Sequence, residues 1–366
     1  GPEIFQSFID SSKNGGRLEF DTLLSDKHGV TMSWGLDHIR ETTSQSGYVN
    51  DPAVYAATGG RVFQNTGQVV TWVPPYDINS TGAFAQFEWQ ATEKLLLRGG
   101  LRHDRFDVDV KDFTNINGGA VGGGKKSYQD TLYNVGAVYD LNDRINLYAS
   151  YNQGFSLPDM GLTLRGAPAG SSFATLNTQP QVVDNYEIGV RANWDKTQAS
   201  FAVFWSENDL GARSGGLNSA VLRAPEKIYG FEATLDHQLS KAWRTGGAFS
   251  WVEGKKYTAS GQEIGYLGND AISPPKLTLY VEHQTNAKWF NRLQLAYSGV
   301  RDRFASTSTS PYQNRIEDYA VLDWMSQYKV SKKGTLTFGI NNLLNRQYHN
   351  TFAQTVVTPG VYGNVA

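Results

Sequence analysis

The sequence predicts an all-β chain folded as an antiparallel transmembrane β-barrel. Three observations lead to this fold class: apolar side chains recur at every second position, the connections between these segments alternate between short and long, and aromatic residues gather near the segment ends. A period of two is typical of strands with one apolar and one polar face. A barrel that spans a membrane joins such strands by tight turns on one side and by long loops on the other.

The alternation locates the strands. Leu95, Leu97 and Leu101, for example, share one face of a segment whose opposite face carries Arg98 and Arg102. The same pattern predicts about fourteen strands along the chain. They span residues 16–24, 30–41, 81–92, 95–108, 127–139, 144–153, 184–194, 197–208, 226–239, 242–253, 275–286, 289–300, 317–330 and 334–343, with residues 3–9 as a candidate end of one more.

The connections alternate in length without a break. The short ones are Ser25–Gly29, Glu93–Lys94, Asp140–Asp143, Asp195–Lys196, Ser240–Lys241, Asn286–Lys288 and Ser331–Lys333. The long ones cover residues 42–80, 109–126, 154–183, 209–225, 254–274, 301–316 and the chain after 344. A soluble sandwich has long loops at both ends of its sheets, so the alternation favours the barrel.

Aromatic side chains supply the third observation. The chain holds 9 Trp, 19 Tyr and 18 Phe, and many of the Trp and Tyr residues lie near predicted strand ends or on outward faces. They are Tyr139, Tyr148, Tyr151, Tyr186, Trp194, Trp205, Trp243, Trp251, Trp289, Tyr297, Trp324 and Tyr328. Girdles of such side chains mark both membrane–water interfaces of a barrel.

Composition and charge exclude several other classes. With 0 Cys and a net charge of -2 over 366 residues, the sequence offers no disulfide framework, no thiolate metal site and no basic field for nucleic acid. No stretch approaches the roughly 18 apolar residues of a transmembrane helix. The His residues are scattered, and the near-match to a phosphate loop at residues 119–126 lacks the required Ser or Thr after its first lysine. We therefore predict no enzyme.

Several segments resemble motifs of one family, the TonB-dependent outer-membrane receptors for ferric siderophores. Residues 99–106 resemble its G-L-R-Y-D strand, residues 148–155 its Y-A-S-Y-S-x-G-F strand end and residues 185–191 its N-Y-E-I-G-x-K strand. Residues 229–232 resemble x-G-x-E, and residues 341–348 are similar to the N-N-L-F-D-x-x-Y motif before the last strand. Each motif is short, but their order and spacing make the resemblance specific.

The resemblance implies a receptor in the outer membrane of a Gram-negative bacterium, in contact with its lipid, that binds a ferric siderophore in external loops. It implies TonB as a partner, reached through an N-terminal segment, and no cofactor, because the iron is carried within the siderophore. Such receptors have about 22 strands around a plugged lumen. We expect about 14–15 of them here, as one partial barrel domain over residues 1–366 without an internal boundary, and without the plug, the TonB box or the last strand.

Candidate ligand contacts follow from the chemistry of the cargo. Ferric siderophores are bulky and often anionic, so they bind aromatic faces and arginine donors on a concave surface. Residues of these types in the predicted long loops are Tyr48, Tyr55, Trp72, Tyr76, Arg213, Arg223, Arg301, Arg303 and Tyr312. Arg98 and Arg102 are instead expected to form salt bridges with acids such as Glu88 and Asp104.

Other functions stay open at this point. About fourteen strands also suffice for a passive porin-like channel, which needs no plug. A cobalamin or haem receptor of the same family would share the fold and differ in its loops. A soluble β-sandwich or propeller that binds carbohydrate would need no detergent, whereas a barrel would aggregate without it. A plug encoded upstream of Gly1 would favour the receptor over the channel.

Overall fold

The computed structural model describes residues 4–210, 213–214, 221–222, 224–269, 271–304 and 315–356. The strands are β1 (Ile4–Ser25), β2 (Val30–Asn50), β3 (Asn65–Thr92), β4 (Leu95–Val110), β5 (Phe113–Thr114), β6 (Ala120–Val121), β7 (Gly124–Asn142), β8 (Ile145–Ser156), β9 (Gln181–Trp194), β10 (Thr197–Asn208), β11 (Arg213–Ser214), β12 (Val221–Leu222), β13 (Glu226–Gln238), β14 (Trp243–Tyr257), β15 (Glu263–Tyr266), β16 (Lys276–Asn286), β17 (Trp289–Ser298), β18 (Tyr319–Lys329) and β19 (Thr335–Ile340). The helices are α1 (Pro52–Ala57), α2 (Met160–Arg165), α3 (Thr351–Val356) and a 3-10 turn at Phe173–Thr175.

One 15-stranded sheet contains all the long strands. Its order, β1-β2-β3-β4-β7-β8-β9-β10-β13-β14-β16-β17-β18-β19, follows the chain, and β15 pairs with β14. Neighbouring strands are antiparallel throughout. The predicted all-β antiparallel architecture and its 14–15 strands are therefore confirmed. Among the described residues, no ladder joins β1 to β19.

The two faces of the sheet differ sharply in polarity. On one face, Phe20, Leu101, Ile188, Leu279 and Leu336 are each 45–57% exposed. The other carries charged and amide side chains, such as the cross-strand row of Asn134, Asn152 and Asn185. We call these the apolar face and the polar face. A continuous exposed apolar face is unfavourable in water and favourable in lipid.

Aromatic side chains border the apolar face on both sides, as predicted. Trp194, Trp243, Trp289 and Tyr328 lie beside the short turns and are 38–43% exposed. Nearer the long connections, Tyr151, Tyr186, Trp205 and Tyr229 pair in one row across β8, β9, β10 and β13. We call these rows the lower girdle and the upper girdle.

Three strands are longer than predicted, which corrects the prediction of a long connection over residues 42–80. β1 has 22 residues, β2 has 21 and β3 has 28, so residues 42–50 and 65–80 extend the ladder. Polar residues such as Thr42, Thr43 and Ser44 occupy both faces there. Because a strand beyond the lipid needs no apolar face, the alternation that predicts strands is missing.

Candidate functional site

Charged side chains on the polar face pair across strands. Arg102 donates from Nη1 and Nη2 to both carboxylate oxygens of Asp37 at 2.7 and 2.8 Å, and Nη2 lies 2.7 Å from Asp104. Arg98 donates from Nε to Glu88 at 2.8 Å. The predicted Arg98–Glu88 and Arg102–Asp104 salt bridges are confirmed. These salt bridges connect neighbouring strands of the sheet. The predicted ligand contacts lie instead at the end of the sheet with the long connections.

Two of the long connections at that end fold together. We call them the loop cap, which consists of residues 111–123 and 157–180. Backbone hydrogen bonds join them, from Phe173 N to Gly122 O at 2.8 Å and from Gly170 N to Ala120 O at 2.8 Å. A Cβ atom on Gly119 would lie only 2.5 Å from Cβ of Ala169, so glycine is needed for this approach.

The loop cap packs on strands β3, β4 and β7 through an apolar core. Val108 and Val110 of β4 are 1% and 2% exposed, and they contact Met160, Leu164 and Phe173 of the cap. Val108 and Val110 lie on the same side of β4 as Arg102, because alternate residues of a strand share a face. The cap therefore covers the extension of the polar face.

Polar contacts fix the position of the cap. Lys126 of β7 donates from Nζ to Leu176 O at 2.6 Å and to Thr178 Oγ1 at 3.0 Å, and its Nζ lies 5.1 Å from the centre of the Phe173 ring. Tyr128 and Thr178 also share a hydrogen bond. Burial lowers the pKa of Lys126 and raises the pKa of Tyr128.

The edge of the cap places a cation on an aromatic ring. The Arg165 guanidinium lies 4.7 Å from the ring centre of Trp72, which also contacts Phe5. Burial lowers the pKa of Arg165. Tyr76 packs against the core of the cap, and burial raises its pKa. A partly desolvated arginine on an indole face is a suitable contact for a bulky anion.

A second cluster joins the β14–β16 connection to the segment after β17. Arg301 and Glu253 form an ion pair at 2.6 Å with both side chains 3% exposed. Arg301 also donates to Asn269 Oδ1 at 2.8 Å and to Leu267 O at 2.6 Å. Arg303 is exposed, and its guanidinium lies 5.6 Å from the ring centre of Tyr266.

The nine predicted ligand contacts occupy several different places. Trp72 and Tyr76 meet at the loop cap, whereas Arg301 and Arg303 belong to the second cluster. Tyr48 contacts Phe8, and Tyr55 of α1 contacts Phe63. Arg223 and Tyr312 lie outside the described residues, as does the side chain of Arg213.

The predicted loop position is wrong for three of these residues. Tyr48 lies in β2, and Trp72 and Tyr76 lie in β3. The cause is the extension of these strands beyond the lipid. Their roles as ligand contacts stay predictions.

Arg165 and the core of the loop cap were not predicted from the sequence. A signal was present, because Met160 and Leu164 are four residues apart and share one face of a helix. Asp159 precedes them and caps α2 by accepting from Leu162 N at 2.8 Å. The spacing of the apolar residues and the N-cap residue Asp159 together indicate a helix that packs through one face.

Neither a metal cluster nor a membrane-spanning helix is present in the described part of the chain. There, no group of three or more His, Cys, Asp or Glu side chains is arranged to hold a metal ion. No helix among these residues is both long and apolar enough to cross a membrane.

Comparison with known proteins gives one family and a consistent set of relatives. Residues 4–343 match the family described as TonB dependent receptor-like, beta-barrel. The chain is 24% identical over 392 residues to the rhizobactin receptor of Rhizobium meliloti (strain 1021), covering 100% of this chain and 50% of the relative. It is 26% identical over 377 residues to the ferric aerobactin receptor of Klebsiella pneumoniae, covering 94% of this chain and 49% of the relative.

The chain therefore spans about half the length of the curated relatives it matches. Among solved structures, the copper transporter OprC superposes with a TM-score of 0.72 at 21% identity, covering 94% of this chain and 54% of that one. At that level of identity, the likeness concerns the fold alone.

Proposed function

Because the chain belongs to the TonB-dependent receptor family, we propose that it forms part of the barrel of an outer-membrane receptor that imports a ferric siderophore. Proteins of this family lie in the outer membrane of Gram-negative bacteria. The match over residues 4–343, together with relatives named as rhizobactin and ferric aerobactin receptors, carries the proposal. The apolar face between its two girdles is then the surface that meets lipid.

The geometry of the loop cap supports this function. The cap covers the polar face at the end with the long connections, and Arg165 on Trp72 gives its edge a cation and an aromatic surface. An anionic iron chelate bound at this end of the barrel would contact this edge. The family match, rather than the cap, favours the receptor over the porin-like alternative.

The iron is cargo in this proposal, and the receptor needs no resident cofactor of its own. The energy for import comes from TonB, which draws on the proton gradient of the inner membrane. The family consists of receptors and transporters. We accordingly propose that the protein changes the location of its ligand without covalent chemistry.

Iron-limited growth tests the proposed function. The complete gene is expressed in a strain that lacks its own siderophore receptors, and one ferric siderophore is supplied at a time. We expect ferric aerobactin or ferric rhizobactin, the ligands named for the relatives, to restore growth. Failure of every ferric siderophore, with the receptor present in the outer membrane, would contradict the proposal.

Uptake of radiolabelled iron separates the alternatives. We expect uptake through the receptor to stop when an uncoupler collapses the proton gradient, while binding to cells continues. Uptake that continues under the uncoupler would indicate a passive channel. Growth supported by cobalamin or haem alone would indicate a different cargo for the same fold.

A further inference from the structure

Four aromatic side chains on the polar face lie opposite a glycine of the neighbouring strand. Side chains of a strand usually stand roughly perpendicular to the sheet. A Cβ atom added to any of these four glycines, however, would lie only 2.5–2.9 Å from the far end of the opposite ring. The rings therefore lie flat across the next strand. The pairs are Phe84–Gly35, Tyr148–Gly189, Phe204–Gly230 and Tyr280–Gly246.

Tyr148 of β8 is held in this flat position by two residues of β9. Its hydroxyl donates to Glu187 Oε1 at 2.7 Å, and the guanidinium carbon of Arg191 lies 4.6 Å from the centre of its ring. Glu187 and Arg191 flank Gly189 on the same face of β9, because alternate residues of a strand share a face. The ring therefore crosses β9 at Gly189, which contributes no side chain to this space.

Gly189 differs from the other three glycines in its surroundings. The three atoms nearest to its added Cβ all belong to Tyr148, at 2.5–2.6 Å. At Gly35, Gly230 and Gly246, a backbone carbonyl oxygen also lies within 2.1–2.5 Å of the added atom. Alanine at position 189 would thus displace one side chain and leave the backbone in place, whereas alanine at the other three positions would strain the strands.

We propose that Gly189 is a positioning residue for import, because it keeps Tyr148 flat and leaves the lumen beside this wall clear for the passing chelate. The inference rests on the proposed function, in which the polar face lines the lumen of the barrel. Gly189 lies between Tyr186 of the upper girdle and Trp194 of the lower girdle, away from the loop cap. It would therefore act on passage and leave binding at the cap unchanged.

Uptake of radiolabelled ferric aerobactin or ferric rhizobactin by cells that carry the full-length receptor tests the inference. In Gly189→Ala, we expect loss of most of the uptake rate at saturation, with unchanged affinity of binding to the cells. The reason is that the displaced Tyr148 ring enters the lumen without altering the loop cap. Adding Tyr148→Ala to Gly189→Ala should restore uptake, because the displaced ring is then removed. A purely structural role of the contact predicts no such rescue.

Gly136→Ala is the matched control on the polar face of β7. Its added Cβ would lie 3.6 Å from Ala149 O and 3.8 Å from Ser150 Cβ, which are ordinary contact distances. We expect this variant to import the chelate as the unmodified receptor does. The amount of each variant in the outer membrane and its thermal unfolding in detergent verify that the barrel is intact.

Several results would overturn the inference. They are normal uptake by Gly189→Ala, failure of the double variant to restore uptake, and loss of uptake in Tyr148→Ala alone, which would show that the ring itself is required. Absence of Gly189→Ala from the outer membrane would also overturn it, because the contact would then serve folding. An unmodified receptor that imports no ferric siderophore would instead contradict the proposed function, and this inference with it.

Discussion

A single buried ion pair fixes the second cluster of long-connection residues. Arg301 and Glu253 are both withdrawn from water, and Arg301 Nε has no hydrogen-bond partner within the described part of the chain. We expect Glu253→Gln to weaken this cluster by about 3 kcal/mol, because a buried arginine loses its counter-charge. Hydrogen exchange measures this as about a hundredfold loss of protection in residues 263–269.

An exposed pair nearby provides the control for this prediction. Arg315 and Glu317 lie 2.8 Å apart, with side chains 54% and 64% exposed. We expect Arg315→Gln to change the free energy of hydrogen-exchange protection in residues 263–269 by less than about 1 kcal/mol, since water already solvates both charges. Replacing Glu253 and Arg301 together with Met should be less harmful than Glu253→Gln alone. Equal effects of the buried and exposed substitutions would show that the pair does not hold the cluster.

Gly82 provides the space in which Arg102 lies across the polar face. A Cβ atom at Gly82 would lie 2.1 Å from Arg102 Nη2 and 2.7 Å from Asp104 Oδ1. We expect Gly82→Ala to lower the free energy of unfolding by about 1–3 kcal/mol, because the arginine must leave its paired geometry. Thermal unfolding in detergent measures the change. Gly16→Ala, where the added Cβ meets nothing within 4 Å, is the control and should have no such effect.

Among the larger elements, the loop cap depends on one lysine of β7. Lys126 and its neighbour Lys125 form a matched pair, since Lys125 points away and binds Asp109 at 2.8 Å with 80% of its side chain exposed. We expect Lys126→Ala to increase hydrogen exchange in residues 173–178, because Leu176 O and Thr178 lose their donor. Lys125→Ala should leave the exchange unchanged. If both variants exchange alike, the apolar core alone holds the cap.

The membrane part of each strand was predictable from the sequence, and so was most of β4, which is predicted over residues 95–108 and observed over Leu95–Val110. Leu95, Leu97 and Leu101 place apolar side chains on one face, whereas Phe106, Val108 and Val110 place them on the other. The chain stays extended from Leu95 to Val110, so the strand is continuous while its apolar side changes. The change occurs at the level where the strand leaves the lipid on its outer side and contacts the loop cap on its inner side.

The candidate site was less predictable than the strands. The sequence predicts Trp72 in the long connection over residues 42–80. Its contact with Arg165 joins residues that are 93 positions apart in the chain. Such contacts depend on how two loops pack on three strands. The motifs that identify the family lie on the strands and contain no information about that packing. Arg165 was therefore found only in the structure.

For the whole molecule, the change of apolar side divides the sheet into a lipid-facing band and a region outside the membrane. Within the band, apolar side chains face outward and charges pair on the polar face. Beyond the upper girdle, charged side chains such as Lys227 and Lys255 face outward, while the loop cap buries apolar side chains inside. A barrel in water would need the second arrangement throughout. The two arrangements in one sheet thus define where the membrane ends.

Two aromatic residues of β17 give a measure of the lipid-facing band, and a leucine between them gives a test of whether the band faces lipid. Trp289 and Tyr297 are eight residues apart in β17, which corresponds to about 26 Å along a strand. A strand tilt of about 40° reduces this to about 20 Å across the membrane, so both rings lie within the roughly 25 Å apolar band of an outer-membrane barrel. Leu293 lies midway between them and is 36% exposed. We expect Leu293→Arg to destabilise the receptor in phospholipid vesicles by about 2–4 kcal/mol, measured by urea unfolding, because the charge enters the centre of the bilayer.

Val69 tests whether this penalty comes from the lipid or from the loss of an apolar side chain. It is 55% exposed and lies in the part of β3 beyond the upper girdle. There, Val69→Arg should change the free energy of unfolding by less than about 0.5 kcal/mol, because the arginine stays in water. Equal effects at Leu293 and Val69 would mean that the band between the girdles does not face lipid. A large effect at Leu293 alone would assign the midplane of the membrane to that row of residues.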